Sequence, residues 1–326
     1  MSRSVLIYGG GCIGAVVSFM ISATIPARDL AIICRSNHEE VTRKGLTLHS
    51  TIWGKDLQIS PMCFKTVEEA VERHRPEYDY VFITTKGQSK LDTNTEVVAP
   101  AISAQTAIVL MQNGIAIEAP WRERFPCNPI ISAVLYLPVS QVEPSVFTHA
   151  LHTEIQIGIY PSQCPEDDSR AEAACDELCA MLKRGGAAVT VEDDVQVARW
   201  KKILVNGSEN PVCALTQLPD ATFLQSSPLA IQRTRELMEE IAAIARAVGY
   251  PQIDQEVVEA QLSFITARPL PGVVPSMMAD VKAKRPMEIE PLLGNLLMLA
   301  KESSTPSPRL QLVYALLKGL NLSYNS

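Results

Sequence analysis

Three glycines near the start of the chain have the spacing of a phosphate-binding loop. Gly9, Gly11 and Gly14 fit the pattern G-x-G-x-x-G. In that pattern the glycines allow a tight turn, a close approach of the backbone to a pyrophosphate, and close packing of a helix on a strand. A helix that begins at such a loop presents N–H groups and a partial positive charge to phosphate. We therefore predict that these glycines, with Cys12 and Ile13, line a dinucleotide site.

The loop lies within a stretch that carries no charge, from Val5 to Ala27. Hydropathy alone would allow a signal peptide or a membrane span here. Three glycines would each cost such a helix about 1 kcal/mol relative to alanine, whereas each has a function in a strand–loop–helix unit. We therefore predict a buried strand over residues 5–8 and a helix over residues 15–23.

A positively charged residue follows the second predicted strand, which covers residues 30–34. NAD-binding folds place an acidic side chain at this point, on the 2′-hydroxyl of the ribose. This chain has Arg35 instead, and a guanidinium can pair with a 2′-phosphate through two hydrogen bonds. The pattern favours NADP(H) over NAD(H). The alternative is an arginine in a solvated loop.

Polar residues also follow two further predicted strands. The strand over residues 80–85 is followed by Lys86 and Gln88, and the strand over residues 107–111 is followed by Asn113. Ligands of an open parallel sheet bind outside the carboxyl ends of its strands, so we predict that all three side chains face a ligand. Asn113 precedes a glycine, and this dipeptide could equally serve as a turn.

The remaining patterns predict an α/β half followed by a helical half. They indicate an edge hairpin after residues 45–48, a helix over 67–75, added strands over 130–138 and 153–159, a helix over 169–184, and a last strand over 188–191. His149 and His152 lack an acidic partner or a ligand spacing, and we interpret them as structural. Long helices dominate from about residue 195. We therefore place an α/β domain at residues 1–190 and a helical domain at residues 191–326.

The most informative helix of the second half is predicted over residues 199–210, where Pro211 ends it. Lys202, Asn206 and Asn210 are four residues apart in it and form one stripe. Asparagine is a poor helix former, and two asparagines in a buried helix need hydrogen-bond partners. The stripe therefore points to a functional site. The alternative is a polar stripe in water, with Lys201 and Lys202 both solvated.

Composition sets broad limits on the function. A chain of 326 residues suggests two domains, and 29 basic against 36 acidic residues give a net charge of −7. That balance argues against general binding of nucleic acid or of an anionic membrane. The eight cysteines form no CxxC pair and no Cys/His cluster at zinc spacing. We therefore predict no metal site and favour a reduced, cytoplasmic protein.

Taken together, these residues resemble the ketopantoate reductase (2-dehydropantoate 2-reductase) family over nearly the whole chain. The likeness rests on the glycine loop, Arg35, Lys86 in TTKGQ, Gln112-Asn113-Gly114, the pattern W-x-K-x-x-x-N-x-x-x-N from Trp200 to Asn210, Ser276 in SMMAD, Glu288 in MEIEPLLG, and the TPSP segment before the last helix. The glycines occur in many folds. The Lys/Asn/Asn stripe followed by the Ser and Glu pair is more specific.

The resemblance implies a fold and an activity. The fold is an α/β Rossmann-type N-terminal domain plus an all-α C-terminal domain like that of 6-phosphogluconate dehydrogenase. The activity is NADPH-dependent reduction of a small 2-oxo acid, with 2-dehydropantoate to pantoate, in pantothenate biosynthesis, as the first reaction to test. The expected partner is this small substrate, without nucleic acid or membrane, and the family allows a homodimer.

The resemblance also implies roles for individual residues. Lys202 would be the general acid, with Glu288 as a second catalytic residue. The substrate would contact Asn113, Asn206, Asn210, Ser276 and Lys86. The cofactor would contact the glycine loop, Arg35, Lys86, Gln88, Asn113 and Glu288. Burial would lower the pKa of Lys202 toward neutrality, whereas a nearby Glu288 would oppose that shift.

Two departures from the family pattern leave the substrate open. Ala116 stands where the family often has a second glycine, and residues 133–149 are bulkier than the family version. A relative that reduces a different carbonyl or imine would share all the other features. A non-redox or NADP(H)-sensing protein is a further alternative, although a sensor would not need a proton donor.

Overall fold

A computed structural model describes residues 3–87, 94–162 and 169–323. Within these residues the chain forms two compact units. The α/β unit contains residues up to 86, those from 94 to 112, and 118–195, whereas the helical unit contains Gly87, 113–117 and the residues from 196 onward. Two short segments of the N-terminal half, Gly87 and 113–117, therefore group with the helices. The boundary at residue 190 stays a prediction.

The strands of the α/β unit form two sheets. In chain order they are β1 (Val5–Tyr8), β2 (Leu30–Ile33), β3 (Leu46–Ser50), β4 (Gly54–Ile59), β5 (Met62–Phe64), β6 (Tyr80–Ile83), β7 (Ala107–Leu110), β8 (Ile130–Tyr136), β9 (Val139–Glu143), β10 (Val146–His149), β11 (Glu154–Ile159) and β12 (Ala188–Val191). The larger sheet has the order β12-β11-β8-β7-β6-β1-β2-β5. Neighbouring strands in this sheet are parallel, except that β8 and β11 are antiparallel to each other.

The inner strands of this sheet are apolar because both of its faces are covered. Every residue of β2, β6 and β7 is buried, which is the pattern of a parallel strand with both faces covered. The covering helices and further helices of the unit are α1 (Cys12–Ser22), α2 (His38–Lys44), α3 (Val67–Arg73), α4 (Asn94–Val98), α5 (Ala119–Arg124) and α6 (Ser169–Arg184). The uncharged N-terminal stretch thus forms β1, a loop and α1. None of the helices in the described part of the chain is long and apolar enough to span a membrane.

The smaller sheet has the order β4-β3-β10-β9. The predicted edge hairpin corresponds to β3 and β4, and β3 also pairs with β10 in this separate sheet. In β3 the residues alternate between buried and half-buried, as in a strand with only one covered face. In the same sheet the buried His149 ring lies near Ser50 Oγ at 3.0 Å and stacks on Trp53. These contacts fit a structural histidine.

Within its described residues, the helical unit consists of eight helices and one π-helical turn. The helices are α7 (Val195–Asn206), α8 (Glu209–Thr216), α9 (Asp220–Gln225), α10 (Pro228–Ala247), α11 (Gln255–Thr266), α12 (Ser276–Lys282), α13 (Asn295–Glu302) and α14 (Pro308–Leu322). The π-helical turn covers Glu290–Gly294. The core of the helical unit contains Trp200, Met238, Ile241 and Leu293, which are all nearly inaccessible to solvent. The predicted fold class, a Rossmann-type unit followed by an all-α unit, is therefore confirmed.

The helix predicted over residues 199–210 is wrong in one respect, because it is interrupted before Asn210. The first helix, α7, ends at Asn206, and α8 begins at Glu209. Pro211 explains the break, since its ring clashes with the carbonyl of the residue four positions earlier, Gly207, and it has no N–H to bond to that carbonyl. The stripe is thus divided between two helices, with Asn210 on the second.

A cluster of ion pairs and hydrogen bonds connects α8 with the segment before α12. The Arg268 guanidinium pairs with Asp220 and, at 3.3 Å, with Glu209 Oε1. Asp220 also accepts a hydrogen bond from the Val273 N–H at 2.6 Å. Burial and the nearby Asp220 raise the pKa of Glu209 to about 8, whereas hydrogen bonds lower the pKa of Asp220. The structure is therefore stabilised by a neutral Glu209 and an ionised Asp220.

Replacing Glu209 with glutamine should change how stability depends on pH. Because the pKa is higher in the folded than in the unfolded state, the stabilisation is full below about pH 4.5 and is lost as the pH rises through about 8. Glutamine has no such transition. The Tm of Glu209→Gln minus the Tm of the parent protein should therefore increase by about 5 °C or more between pH 5 and pH 9. Calorimetry measures both Tm values.

The exposed Glu256 provides the control for this experiment. Glu256→Gln should keep a constant Tm difference from the parent over the same pH range. A constant difference for Glu209→Gln as well would show that Glu209 titrates as it does in the unfolded chain.

Candidate functional site

The glycine loop of the α/β unit is shaped so that only glycine fits at two positions. Gly9 has a φ of +125°, a conformation that residues with a side chain rarely adopt. A Cβ on Gly14 would lie 1.8 Å from the Gly9 carbonyl oxygen. Thr84 Oγ1 fixes that same carbonyl with a hydrogen bond of 2.8 Å. The loop is therefore a tight turn with a helix packed directly against it.

The start of α1 is suited to bind an anion. Gly11 precedes the helix in an extended conformation, and neither a side-chain cap nor an acidic residue occupies the first turn. A Cβ on Gly11 would meet no atom within 4 Å, so the space beside it is open. Cys12 and Ile13 form the first turn and are half-buried. The first N–H groups of a helix have no partners within the helix, and they attract phosphate. This loop therefore fits the pyrophosphate of a dinucleotide.

Arg35 lies at the same edge of the sheet as this loop. It is exposed and follows the buried Cys34 at the end of β2, which is the parallel neighbour of β1. We had not predicted the part that Asn37 plays here. Its Nδ2 donates to the Gly10 carbonyl at 3.2 Å, and its Oδ1 accepts from Gln141 at 3.1 Å. An amide two residues after a predicted nucleotide-contacting arginine was the available signal.

The ends of β6 and β7 lie next to each other in the sheet. Lys86 is exposed shortly after the end of β6. The buried Gln112, after β7, donates from Nε2 to the Thr85 carbonyl at 3.0 Å and so ties the two strand ends together. Gln88 lies outside the described residues.

The helical unit brings Lys202 and Asn113 together. Lys202 Nζ on α7 donates to Asn113 Oδ1 at 2.9 Å. Asn113 is therefore a hydrogen-bond acceptor for the lysine, in addition to any part in a turn. Burial, and secondarily the positive charge of Arg199, lower the pKa of Lys202 to about 7, while Glu288 opposes the shift. The ammonium can therefore lose and regain a proton near neutral pH.

The segment that carries Asn113 is fixed against the π-helical turn. Gly114 has a φ of +111°, and a Cβ there would lie 2.5 Å from the Pro291 carbonyl oxygen. That carbonyl accepts the Ile115 N–H at 3.1 Å, and Asn295 Nδ2 donates to the Ile115 carbonyl at 2.8 Å. Single π-helical turns are frequent at functional sites. Here the turn supports the acceptor of Lys202.

Glu288 precedes this turn and is half-buried. Its Oε1 accepts the Gly87 N–H at 3.0 Å, and its charge acts on Lys202. Lys202, Asn113 and Glu288 therefore form one group in the helical unit, which we call the lysine cluster.

The other three predicted substrate residues lie on helices of the same unit. Asn206 is the last residue of α7, one turn after Lys202, and is half-buried. Asn210 is buried in the first turn of α8. Ser276 is the exposed first residue of α12, and α12 packs against α8. Their contact with a substrate stays a prediction.

We had not predicted the role of Arg199, although it directly precedes the motif that contains Lys202. It is buried, with 3% of its surface exposed, and its Nη1 donates to the Gly114 carbonyl at 3.0 Å. Its spacing of three residues from Lys202 was the available signal, because residues at i and i+3 share a helix face.

Comparison with known protein families decides which of them this chain belongs to. The model of "Ketopantoate reductase PanE/ApbA" matches residues 5–162, and that of "Ketopantoate reductase PanE/ApbA C terminal" matches residues 194–321. The chain belongs to the ketopantoate reductase family. This is a family of oxidoreductases whose members bind NAD(P)H.

Individual relatives of this ketopantoate reductase family member are distant in sequence. The chain is 26% identical to 2-dehydropantoate 2-reductase of Mesorhizobium japonicum, with 97% of each chain covered. It is also 26% identical to an uncharacterized protein of Saccharomyces cerevisiae, with 97% of this chain and 93% of the relative covered.

Solved structures share the fold over the full length. The crystal structure of 2-dehydropantoate 2-reductase from Methylococcus capsulatus has a TM-score of 0.84 and 26% identity, and covers 99% of this chain and 98% of its own. A D-mandelate dehydrogenase, solved with NADH and anilino(oxo)acetate, has a TM-score of 0.82 at 18% identity, with 99% of each chain covered. At that identity the second likeness shows the fold alone.

Two alanine substitutions in the glycine loop should separate folding from binding. Gly14→Ala should lower the Tm, because its Cβ would clash with the Gly9 carbonyl. Gly11→Ala should leave the Tm within about 1–2 °C of the parent, yet weaken NADPH binding about tenfold or more, because its methyl group enters the space beside the helix start. Calorimetry and titration of NADPH fluorescence measure the two effects.

Gly319→Ala is the matched control, since Gly319 on α14 also has open space around it. It should leave NADPH binding unchanged. If Gly11→Ala bound NADPH as tightly as the parent, the phosphate site would not be at this loop.

Proposed function

We propose that the protein catalyses NADPH-dependent reduction of a small 2-oxo acid to the 2-hydroxy acid, with 2-dehydropantoate to pantoate as its reaction. The observation that carries the proposal is the lysine cluster. An ammonium whose pKa is lowered to about 7 is oriented by Asn113 Oδ1 at 2.9 Å and acted on by Glu288. Such a group can donate a proton to an oxygen as negative charge develops on it.

The residues of the lysine cluster would divide the work of proton transfer. A reduced nicotinamide, when bound, supplies the hydride that attacks the 2-oxo carbon. Lys202 then donates a proton from Nζ to the carbonyl oxygen and stabilises its negative charge. Asn113 Oδ1 accepts one of the three N–H bonds and so restricts the direction of the other two. Glu288 favours the charged form of Lys202, so that the ammonium is present before the reaction.

Neutral polar groups of the helical unit would bind the rest of the substrate. Asn206, Asn210 and Ser276 carry amides and a hydroxyl, which can hydrogen-bond a carboxylate and a hydroxyl without adding charge. Keeping this side neutral leaves the pKa of Lys202 under the control of burial, Arg199 and Glu288. Lys86, after β6, would contact the substrate or the nicotinamide.

The α/β unit would hold the cofactor. The glycine loop and the start of α1 would bind the pyrophosphate, and the exposed Arg35 would bind the 2′-phosphate of NADP(H). We also propose a cytoplasmic location, a homodimer and a place in pantothenate biosynthesis.

A second candidate function uses the same chemistry on another substrate. The D-mandelate dehydrogenase has this fold, so the fold by itself does not decide between 2-oxo acids. Residues 133–149, which form the end of β8, β9 and β10, are one of the two places where the sequence departs from the family pattern. A panel of 2-oxo acids and imines, followed by the loss of NADPH absorbance at about 340 nm, separates the candidates. Turnover of 2-dehydropantoate at a rate no higher than the others would contradict the specific assignment.

Removing the lysine should abolish most of the activity. Lys202→Ala should lower kcat by about a hundredfold or more, the usual scale for loss of a general acid. The measurement is steady-state kinetics of NADPH oxidation, with NADPH binding checked by fluorescence titration.

The adjacent Lys201 is exposed and gives a matched control. Lys201→Ala should keep the parent kcat. If Lys202→Ala bound NADPH and also kept the parent kcat, another group would be the proton donor.

Removing the arginine after β2 should change the choice of cofactor. Arg35→Ala should weaken NADPH binding by about tenfold or more while leaving NADH binding nearly unchanged, because only NADPH carries the 2′-phosphate. Arg28→Ala, an exposed arginine just before β2, should leave both affinities unchanged. Equal losses of NADPH and NADH affinity in Arg35→Ala would contradict the proposed phosphate contact.

A further inference from the structure

Arg199 is a second cation on the helix face that carries Lys202. It lies three residues earlier on α7, about one turn away, and only 3% of its surface is exposed. Burying a guanidinium is costly unless its N–H groups have acceptors. One acceptor is the Gly114 carbonyl, at 3.0 Å from Nη1.

The acceptor of Arg199 belongs to the same short segment as the acceptor of Lys202. Gly114 follows Asn113 directly, so the two cations bind consecutive residues. The segment itself is fixed, because Gly114 is packed against Pro291 and the Ile115 N–H bonds to the Pro291 carbonyl. The guanidinium is thus anchored on a rigid point and cannot easily swing away from the lysine.

Two neighbouring positive charges in a buried setting favour loss of a proton from one of them. A guanidinium keeps its proton under all ordinary conditions, so the ammonium must respond. The charged groups that act on Lys202 are Arg199 on its own helix and Glu288 on the chain before the π-helical turn. They act in opposite directions, Arg199 toward the neutral amine and Glu288 toward the ammonium.

We propose that Arg199 is a positioning residue for the proton donor. Anchored on Gly114, it fixes the segment that presents Asn113 to Lys202, and its permanent charge makes the Lys202 ammonium a stronger acid. The first role sets the geometry of the donor, and the second sets the pH range in which it can give up its proton. The inference rests on the proposed function only in treating Lys202 as the donor.

The test titrates Lys202 directly in the protein without substrate. Trace acetylation with acetic anhydride, measured by mass spectrometry of the Lys202 peptide from pH 5 to pH 11, gives the pH at which the amine is half reactive. In the parent protein this midpoint should lie near 7. In Arg199→Gln, which keeps a donor for Gly114 but loses the charge, it should rise by about one pH unit or more.

A further variant separates the charge of Arg199 from the other charges of the helix. Lys201→Gln removes an exposed charge from the same helix and should leave the Lys202 midpoint unchanged. An unchanged midpoint in Arg199→Gln would overturn the proposal, and so would equal shifts in Arg199→Gln and Lys201→Gln. If Arg199→Gln did not fold, a parent midpoint near the ordinary lysine value of about 10 would overturn it as well.

An activity measurement then connects the titration to catalysis. A general acid loses its proton as the pH rises, so kcat should fall on the alkaline side with the pKa of Lys202. In Arg199→Gln that alkaline limb should move to higher pH by the same amount as the labelling midpoint. A midpoint that moves while the limb does not would overturn the catalytic part of the proposal. Absence of turnover in the parent would instead contradict the proposed function, and the labelling result would still decide the electrostatic role of Arg199.

Discussion

The helical unit depends on one tight contact, between Gly114 and the carbonyl of Pro291. No side chain fits at Gly114, where a Cβ would lie 2.5 Å from that oxygen. The contact brings a segment from the end of β7 against a π-helical turn nearly 180 residues away in sequence, and Asn295 adds a hydrogen bond to Ile115. Three functions follow from it. Asn113 Oδ1 accepts a hydrogen bond from Lys202, and the Gly114 carbonyl accepts one from Arg199. The lysine is also held in surroundings that lower its pKa.

The α/β unit also depends on glycines that pack tightly against a backbone carbonyl. Gly9 and Gly14 close a turn so tightly that a methyl group on Gly14 would overlap the Gly9 carbonyl, whereas Gly11 borders open space. Thr84, at the end of β6, stabilises the turn through the same carbonyl. Gly9 and Gly14, which leave no room for a side chain, therefore shape the loop. Gly11 has room for a side chain and lies where a phosphate would approach.

Local patterns predicted most of the elements because those patterns reflect burial and backbone geometry. The uncharged N-terminal stretch could be assigned to β1 and α1 because its glycines fit a strand–loop–helix unit, and α6 and β12 have the predicted bounds. Asn113 follows the end of β7, and this position predicted that its side chain faces a ligand. The sequence could not show that Lys202 is its donor, because that contact joins residues 89 positions apart. Arg199 was overlooked for the same reason, since its acceptor is a backbone carbonyl of a distant segment. The break between Asn206 and Asn210 did have a local cause in Pro211, whose effect falls four residues before the proline itself.

Transfer of a hydride to a 2-oxo acid is the activity that we propose for this member of the ketopantoate reductase family. The most direct measurement follows the hydrogen itself. The protein is incubated with 2-dehydropantoate and NADPH carrying deuterium at both C4 positions of the nicotinamide, and the product is analysed by mass spectrometry and NMR. Hydride transfer should give pantoate with one deuterium on C2 and a hydroxyl proton that comes from water. Product without deuterium at C2, or no product from any 2-oxo acid in the panel while NADPH is bound, would contradict it.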